Sequence, residues 1–325
     1  MRSSLFAFVT LAACACAPAA RAQGTEAMEV LRIRPSFYVI AGAGGNIGVQ
    51  IGVNGVVLVD SGAQGTSAQV LAEIRKLTDK PIRYIINTSA DADHVGGNAE
   101  LAKAGRSMYT AEGNQAAFIK AMTGGAASIM AHENVLIRMS APTGKASSFP
   151  SDAWPGETFS TDYRNFHFNG EGIEVLHQPA AHTDGDSMVF FRISDVVMAG
   201  NVMDTTRFPV INTEEGGSIQ GEIDALNRLI RLAIPPGPYV YEEGGTFVIP
   251  GYGRICDQAD VVEYRDMIVI MRDVVKDMMQ RGMTLEQIKA ASPAKPYEKE
   301  YGSASGPSST NGFVEAVYKS LAAKK

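Results

Sequence analysis

The sequence predicts a mixed α/β (α+β) fold, a four-layer αββα sandwich, and three observations carry that reading. Apolar runs of strand length alternate with amphipathic helical segments from residue 47 onward. The alternation comes twice, once between about 47 and 104 and again, as short strands followed by a helix, between 166 and 281. The chain has 325 residues, 45% of them hydrophobic, enough for one large domain with a substantial core.

The first half opens with two apolar runs inside 47–60, joined by Asn54-Gly55. Both turn residues tolerate positive φ, so the pair reads as a β-hairpin. Residues 67–77 place Val70, Leu71, Ile74 and Leu77 on one helical face. The apolar stretch 82–87 reads as a buried strand and 98–104 as the start of a helix. Residues 111–155 read as a mostly helical excursion ending in a Gly/Ser/Pro-rich stretch, with His132 on a helix. Strand candidates follow at 166–168, 173–177, 187–193 and 196–198, then a helix at 219–232, a strand at 246–249 and a long helix from 259 to about 281. The tail from 294 to 312 is rich in Pro, Ser, Gly and Lys and is expected to wrap loosely before a last short helix.

Arg2, an apolar run over 5–13 and Ala20-Arg21-Ala22 form the pattern of a secretory signal. The expectation is cleavage after Ala22, a single mature domain over 23–325 with a C-terminal helical extension, and a secreted or periplasmic location. Leu11-Ala12-Ala13-Cys14 offers an alternative, a lipoprotein anchor on Cys14. The apolar run falls short of the ~20 residues a spanning helix needs. Cys14 and Cys16 lie in the signal, so the mature chain keeps Cys256 alone and has no internal disulfide; a buried small hydrophobe is its expected role. A net charge of -6 gives no electrostatic reason to expect nucleic acid or an anionic membrane as partner.

The chemistry concentrates in Asn87-Thr88-Ser89-Ala90-Asp91-Ala92-Asp93-His94-Val95-Gly96-Gly97-Asn98, an acidic, histidine-bearing loop after a strand, closed by glycines. It resembles the metal-binding motif of the metallo-β-lactamase superfamily, Thr-His-x-His-x-Asp-His-x-Gly-Gly, with Ser89 and Asp91 at the two leading histidine positions. Four further segments support the resemblance. Val59-Asp60-Ser61-Gly62 is similar to the family's strand-end Asp-x-Gly. Ala181-His182-Thr183-Asp184-Gly185-Asp186-Ser187 is similar to the third histidine segment of glyoxalase-like and quinoprotein-associated members. Met198-Ala199-Gly200-Asn201 stands where the family has a metal-bridging aspartate, and Pro250-Gly251-Tyr252-Gly253 where it has the last histidine ligand.

The resemblance implies an αββα fold of the metallo-β-lactamase type and a remodelled site. One metal position would be offered Ser89, Asp91 and His182, the other Asp93, His94 and Tyr252, with the neutral Asn201 as the bridge and Asp60 beneath. Asp91, Asp93, His94 and His182 are the candidate metal ligands, for one divalent ion, zinc or iron. Asp93 and Tyr252 are the candidate catalytic residues, Asp93 orienting water and Tyr252 stabilising charge or protonating a leaving group. The alternative is a hydrogen-bonded polar cluster without metal, in which Asp91 accepts from Ser89 or backbone N–H and Asp93 from His94 or Tyr252.

Two functional readings follow. The first is an exported metal-dependent hydrolase with a mononuclear site and a small-molecule substrate, or in a variant a mononuclear iron oxygenase. The second is a non-catalytic module that binds a small molecule or partner in the same cleft. Asp184 and Asp186 are expected to fix the loop after His182, His167 and His177 to sit in strands, and Glu242-Glu243 to lie in a solvated turn. Trp154 and the Met-rich segment 267–283 are expected in the core, and Gly42-Ala43-Gly44-Gly45 in a turn.

Overall fold

A computed structural model of the chain describes residues 28–108, 125–143, 146–237, 244–303 and 305–323. The expectations for the signal peptide, Cys14, Cys16 and Glu242-Glu243 lie outside the described residues.

Two sheets stack face to face. The first has seven strands in sequence order: β1 (Glu29–Arg34), β2 (Phe37–Ala41), β3 (Ile47–Gly52), β4 (Gly55–Val59), β5 (Ile82–Ile86), β6 (Ser128–His132) and β7 (Glu157–Phe159). β1 to β4 pair antiparallel, and β4 to β7 run parallel. The second has five: β8 (Tyr163–Phe168), β9 (Glu171–Gln178), β10 (Asp186–Phe191), β11 (Val196–Asp204) and β12 (Phe247–Tyr252). Its last pair, β11 and β12, is parallel.

The period-two geometry of a strand explains why helices cover both outer faces. In β4, Val57 and Val59 point into the layer between the sheets, with Phe37, Ile86, Ile173 and Phe191. Their neighbours Val56 and Leu58 point the other way, against Val70 and Ile74 of helix α1 (Ser67–Leu77) and Leu101 of α2 (Asn98–Ala104). The outer face of the second sheet packs on α4 (Ile219–Leu232), α5 (Gln258–Gln280) and α7 (Thr310–Ala322), the last reached after α6 (Leu285–Ala291). Each fully buried Val, Leu, Ile or Phe contributes about 1.5–3 kcal/mol. The four layers are the αββα sandwich expected from sequence.

The predicted hairpin, α1, α2 and α4 fall where the periodicity placed them. The segment 111–155 differs within its described part. β6 occupies Ser128–His132, and only Glu133–Ser140 (α3) is a longer helix. β6 lies between two parallel neighbours with both faces covered, so it carries a continuous apolar run and no alternation to mark it as a strand. His132 therefore ends a strand, and its Nδ1 caps α3 by accepting from Asn134 N at 3.3 Å. Cys256 is buried as expected, and burial pushes its thiol up to about 12, away from reactivity.

Candidate functional site

The parallel strands β4, β5, β11 and β12 all end at one edge of the sandwich, and their C-terminal ends converge there, as clefts in α/β folds do. Asp60 follows β4. It takes a left-handed backbone (φ 63°), uncommon outside glycine but tolerated by aspartate, and its buried carboxylate organises the site. One oxygen accepts from Thr88 N at 2.8 Å; the other accepts from Thr88 Oγ1 and His94 Nδ1, both at 2.7 Å.

The motif loop after β5 is clamped at its ends by reciprocal amide bonds between Asn87 and Asn98, 3.0 and 2.9 Å. Within it a single helical turn, Ala92–Val95, presents Asp93 and His94. Gly97 packs so closely on Ser61 that a Cβ would stand 2.3 Å from the Ser61 carbonyl oxygen. At Gly200 (φ +55°) a Cβ would lie 2.6 Å from Thr88 Oγ1, so glycine alone lets β11 approach the loop.

Asn201, next along β11, stands in the middle. Its Nδ2 donates to Asp91 Oδ2 at 2.5 Å and to Ser89 Oγ at 3.3 Å, and its Oδ1 faces His94 Nε2 at 3.0 Å. The Asp91 carboxylate can only accept, so it orients the amide, and Oδ1 must accept from His94. His94 thus donates from both nitrogens and is an imidazolium. Burial opposes that charge, but the Asp60 carboxylate outweighs it and raises His94 to about 9.

His182 comes from the loop between β9 and β10. Its Nδ1 donates to Val210 O at 2.6 Å, and its Nε2 lies 2.9 Å from Asp91 Oδ2. Burial works against its charge too, yet the Asp91 contact prevails and lifts it to about 10. Asp91, resisted by burial but bonded to His182 and Asn201, is held down at about 2. The loop is fixed as expected: Asp186 Oδ2 accepts from Thr183 N at 2.5 Å, and Arg138 pairs with Asp184.

Tyr252, at the end of β12, donates its hydroxyl to Asp93; burial and that carboxylate hold its ionisation well above the ordinary phenol range. The Arg207 guanidinium lies over the Tyr252 ring, 4.2 Å from its centroid, and is held by Asp204 at 2.5 Å. These groups line a cleft of about 300 Å³. Val210 and Asn212 also border a second hollow of about 440 Å³ against Pro307, Ala316 and Lys319 of the C-terminal region.

Every sequence-predicted site residue therefore lies at this edge: Asp60, Ser89, Asp91, Asp93, His94, His182, Asn201 and Tyr252. They form a hydrogen-bonded cluster in which the Asp91 carboxylate meets Asn201 and His182 and not, as expected, Ser89 or a backbone N–H. Ser89 Oγ accepts from Asp91 N at 3.2 Å, Asp93 accepts from Tyr252, and each candidate ligand is bonded to a protein group. Among the described residues no three His, Cys, Asp or Glu side chains are grouped as a metal ion requires. With both nitrogens of His94 and His182 facing acceptors and Asp91 between two donors, the donor set as arranged does not fit a metal. Sequence reasoning missed Asp204, Arg207 and the Val210–Asn212 wall. The one local signal was the Asp204-x-x-Arg207 spacing at the end of a strand.

The two-sheet sandwich with its cleft at the strand ends defines the class, a hydrolase-like metallo-β-lactamase fold. The chain belongs to the metallo-β-lactamase superfamily, whose family model matches residues 41–234. Among solved structures, a metallo-β-lactamase from Pontibacter korlensis is 16% identical, with a TM-score of 0.52 over 74% of this chain and 98% of that one. The stereoselective inverting sec-alkylsulfatase Pisa1 from Pseudomonas sp. is 15% identical with a TM-score of 0.60; the match covers 90% of this chain and 50% of the sulfatase. The DIM-1 metallo-β-lactamase is 14% identical, with a TM-score of 0.51 over 75% of this chain and 97% of its own. Likeness at these identities shows the fold alone. A search of curated proteins returned no match.

Proposed function

We propose that the chain is an exported member of the superfamily that binds a small polar molecule in this cleft without holding a metal ion there. One observation carries the reading: the side chains at the ligand positions satisfy one another, in a chain from Asp60 through His94, Asn201 and Asp91 to His182. A network satisfied in this way is a rigid array of donors and acceptors, which suits recognition. Most of its charges are paired, Asp91 with His182 and Asp204 with Arg207, while Asp93 is bonded to the neutral Tyr252 hydroxyl, which favours a neutral or cationic ligand carrying both donors and acceptors. Export is supported by Arg2, the apolar run after it and Ala20-Arg21-Ala22.

One observation favours a second reading, a mononuclear zinc or iron enzyme. Asp91 and His182 arrive from different sheets and meet at 2.9 Å, with His94 on the other side of Asn201. Mass spectrometry of the protein exported by a bacterial host and purified without chelator separates the two. The expected result is a mature chain starting at Gln23 with well under one equivalent of zinc or iron. A tightly held equivalent of either metal would overturn the metal-free reading, and a lipidated Cys14 would replace Gln23 as the start.

A further inference from the structure

We propose that Asn201 determines what this cleft accepts: its neutral amide joins the two sheets where a divalent cation could, and a carboxylate in its place turns the cleft into a cation site. This rests on the reading of the cleft as a hydrogen-bonded array. The amide touches His94 Nε2, Ser89 Oγ and Asp91 Oδ2, all three on the loop after β5, while Asn201 itself belongs to β11. Through Asp91 the link continues to His182 and from there to the Val210 carbonyl. One side chain thus connects both sheets to the segment that walls the cleft.

An amide suits this position because it accepts at one end and donates twice at the other without adding charge. A carboxylate of the same shape can only accept. In Asn201→Asp the bond from His94 survives and the Ser89 hydroxyl can turn to donate, but Asp91 loses a donor 2.5 Å away and faces a second anion. With Asp60 and Asp93 close by, the variant gathers four carboxylates around this end of the cleft. Two adjacent carboxylates are relieved either by sharing a proton or by binding a cation between them. The cleft is open to solvent beside Asp91, whose side chain is 36% exposed, so a hydrated divalent ion can reach the pair. Relief by the cation is what the proposal asserts.

Zinc alone is the probe, titrated calorimetrically into chelator-treated full-length protein. The wild type and the exchanged double variant Asp91→Asn/Asn201→Asp, which keeps one amide facing one carboxylate, are expected to show no saturable binding. Asn201→Asp is expected to show one site, at least ~100-fold tighter than wild type, together with a rise in melting temperature that chelator reverses. If Asn201→Asp does not fold alone, refolding with zinc is the readout: recovery supports the proposal and its absence overturns it. A zinc-indifferent Asn201→Asp beside an indifferent wild type means proton sharing; it ends this proposal and leaves the binding function standing. A double variant that takes zinc as tightly as Asn201→Asp also ends it. Saturable zinc on the wild type overturns both.

Discussion

Asp60 and His94 show how much of the site depends on a single buried pair. Their side chains are 2% and 0% exposed, and the carboxylate also holds Thr88 through two bonds. Removing one member of such a pair leaves the other charge buried without its partner, which typically costs 3–5 kcal/mol, far more than an intact pair contributes. Asp60→Asn keeps the shape but withdraws the charge, and it forces the amide to present a donor to Thr88 or to His94. The expected loss is about 3 kcal/mol or more in urea unfolding, along with a drop in the His94 pKa readable by NMR. A loss below about 1 kcal/mol would mean that His94 is neutral in the folded protein, and the chain of donors from Asp60 to Asp91 would need redrawing.

At the scale of elements, the wall of the cleft depends on a helix far away in sequence. The segment after β11 carries Arg207, Phe208 and Val210, and Phe208 is pinned from the C-terminal side. Its ring stacks on Phe313 of α7 at 4.9 Å, and its N–H donates to Tyr301 O at 2.9 Å. Phe313 is fully buried, so Phe313→Ala should cost about 3–5 kcal/mol in stability. It should also loosen the wall: hydrogen exchange at 207–212 is expected to quicken beyond the global change, while exchange in β4 and β5 follows global stability alone. Uniform acceleration across both sheets would show that α7 contributes to stability without shaping the cleft. The family match ends at residue 234, so this buttress lies in a part of the chain outside it.

For the whole molecule, the charged network sets how stability varies with pH. His94 and His182 rise from 6.5 to about 9 and about 10, so the folded protein holds protons that the unfolded chain releases. Their contribution is complete below about 6.5, declines above it, and is gone once pH passes about 10. Asp186, raised by burial from 3.8 to about 6, acts in the same direction between those values. Asp91, lowered from 3.8 to about 2, contributes above 3.8 and loses that contribution as pH falls through about 2. The melting temperature should therefore peak in mildly acidic buffer and fall steadily from about pH 6.5 to 10. Imidazoles serving as metal ligands would give the opposite trend, because they coordinate only after losing a proton. Melts across pH 5–10 at constant ionic strength, with and without chelator, make the comparison; stability rising towards pH 9 and lost with chelator would refute the hydrogen-bonded site.

Local pattern was enough for the layers, and the resemblance to the family's motifs named the residues that the fold brings to one edge. The hairpin through Asn54-Gly55 and the helices at 67–77 and 219–232 could be read along the chain, because turn chemistry and apolar period are properties of short segments; the eight residues from Asp60 to Tyr252 came from the resemblance to the family's motifs. β6 could not be read this way, since a strand covered on both faces loses its alternation, and His132 went to the wrong element with it. Nor could the state of the site. Whether Asp91 faces a metal or His182, and whether the Asn201 amide meets His94 and Asp91 together, depends on where β11 crosses the loop after β5. Arg207 reaches the cleft for a similar reason: Phe208 is held by residues about a hundred positions further on. Hydrogen-bond partners and protonation depend on distances of a few tenths of an ångström between segments remote in sequence, and packing of the two sheets is what sets those distances.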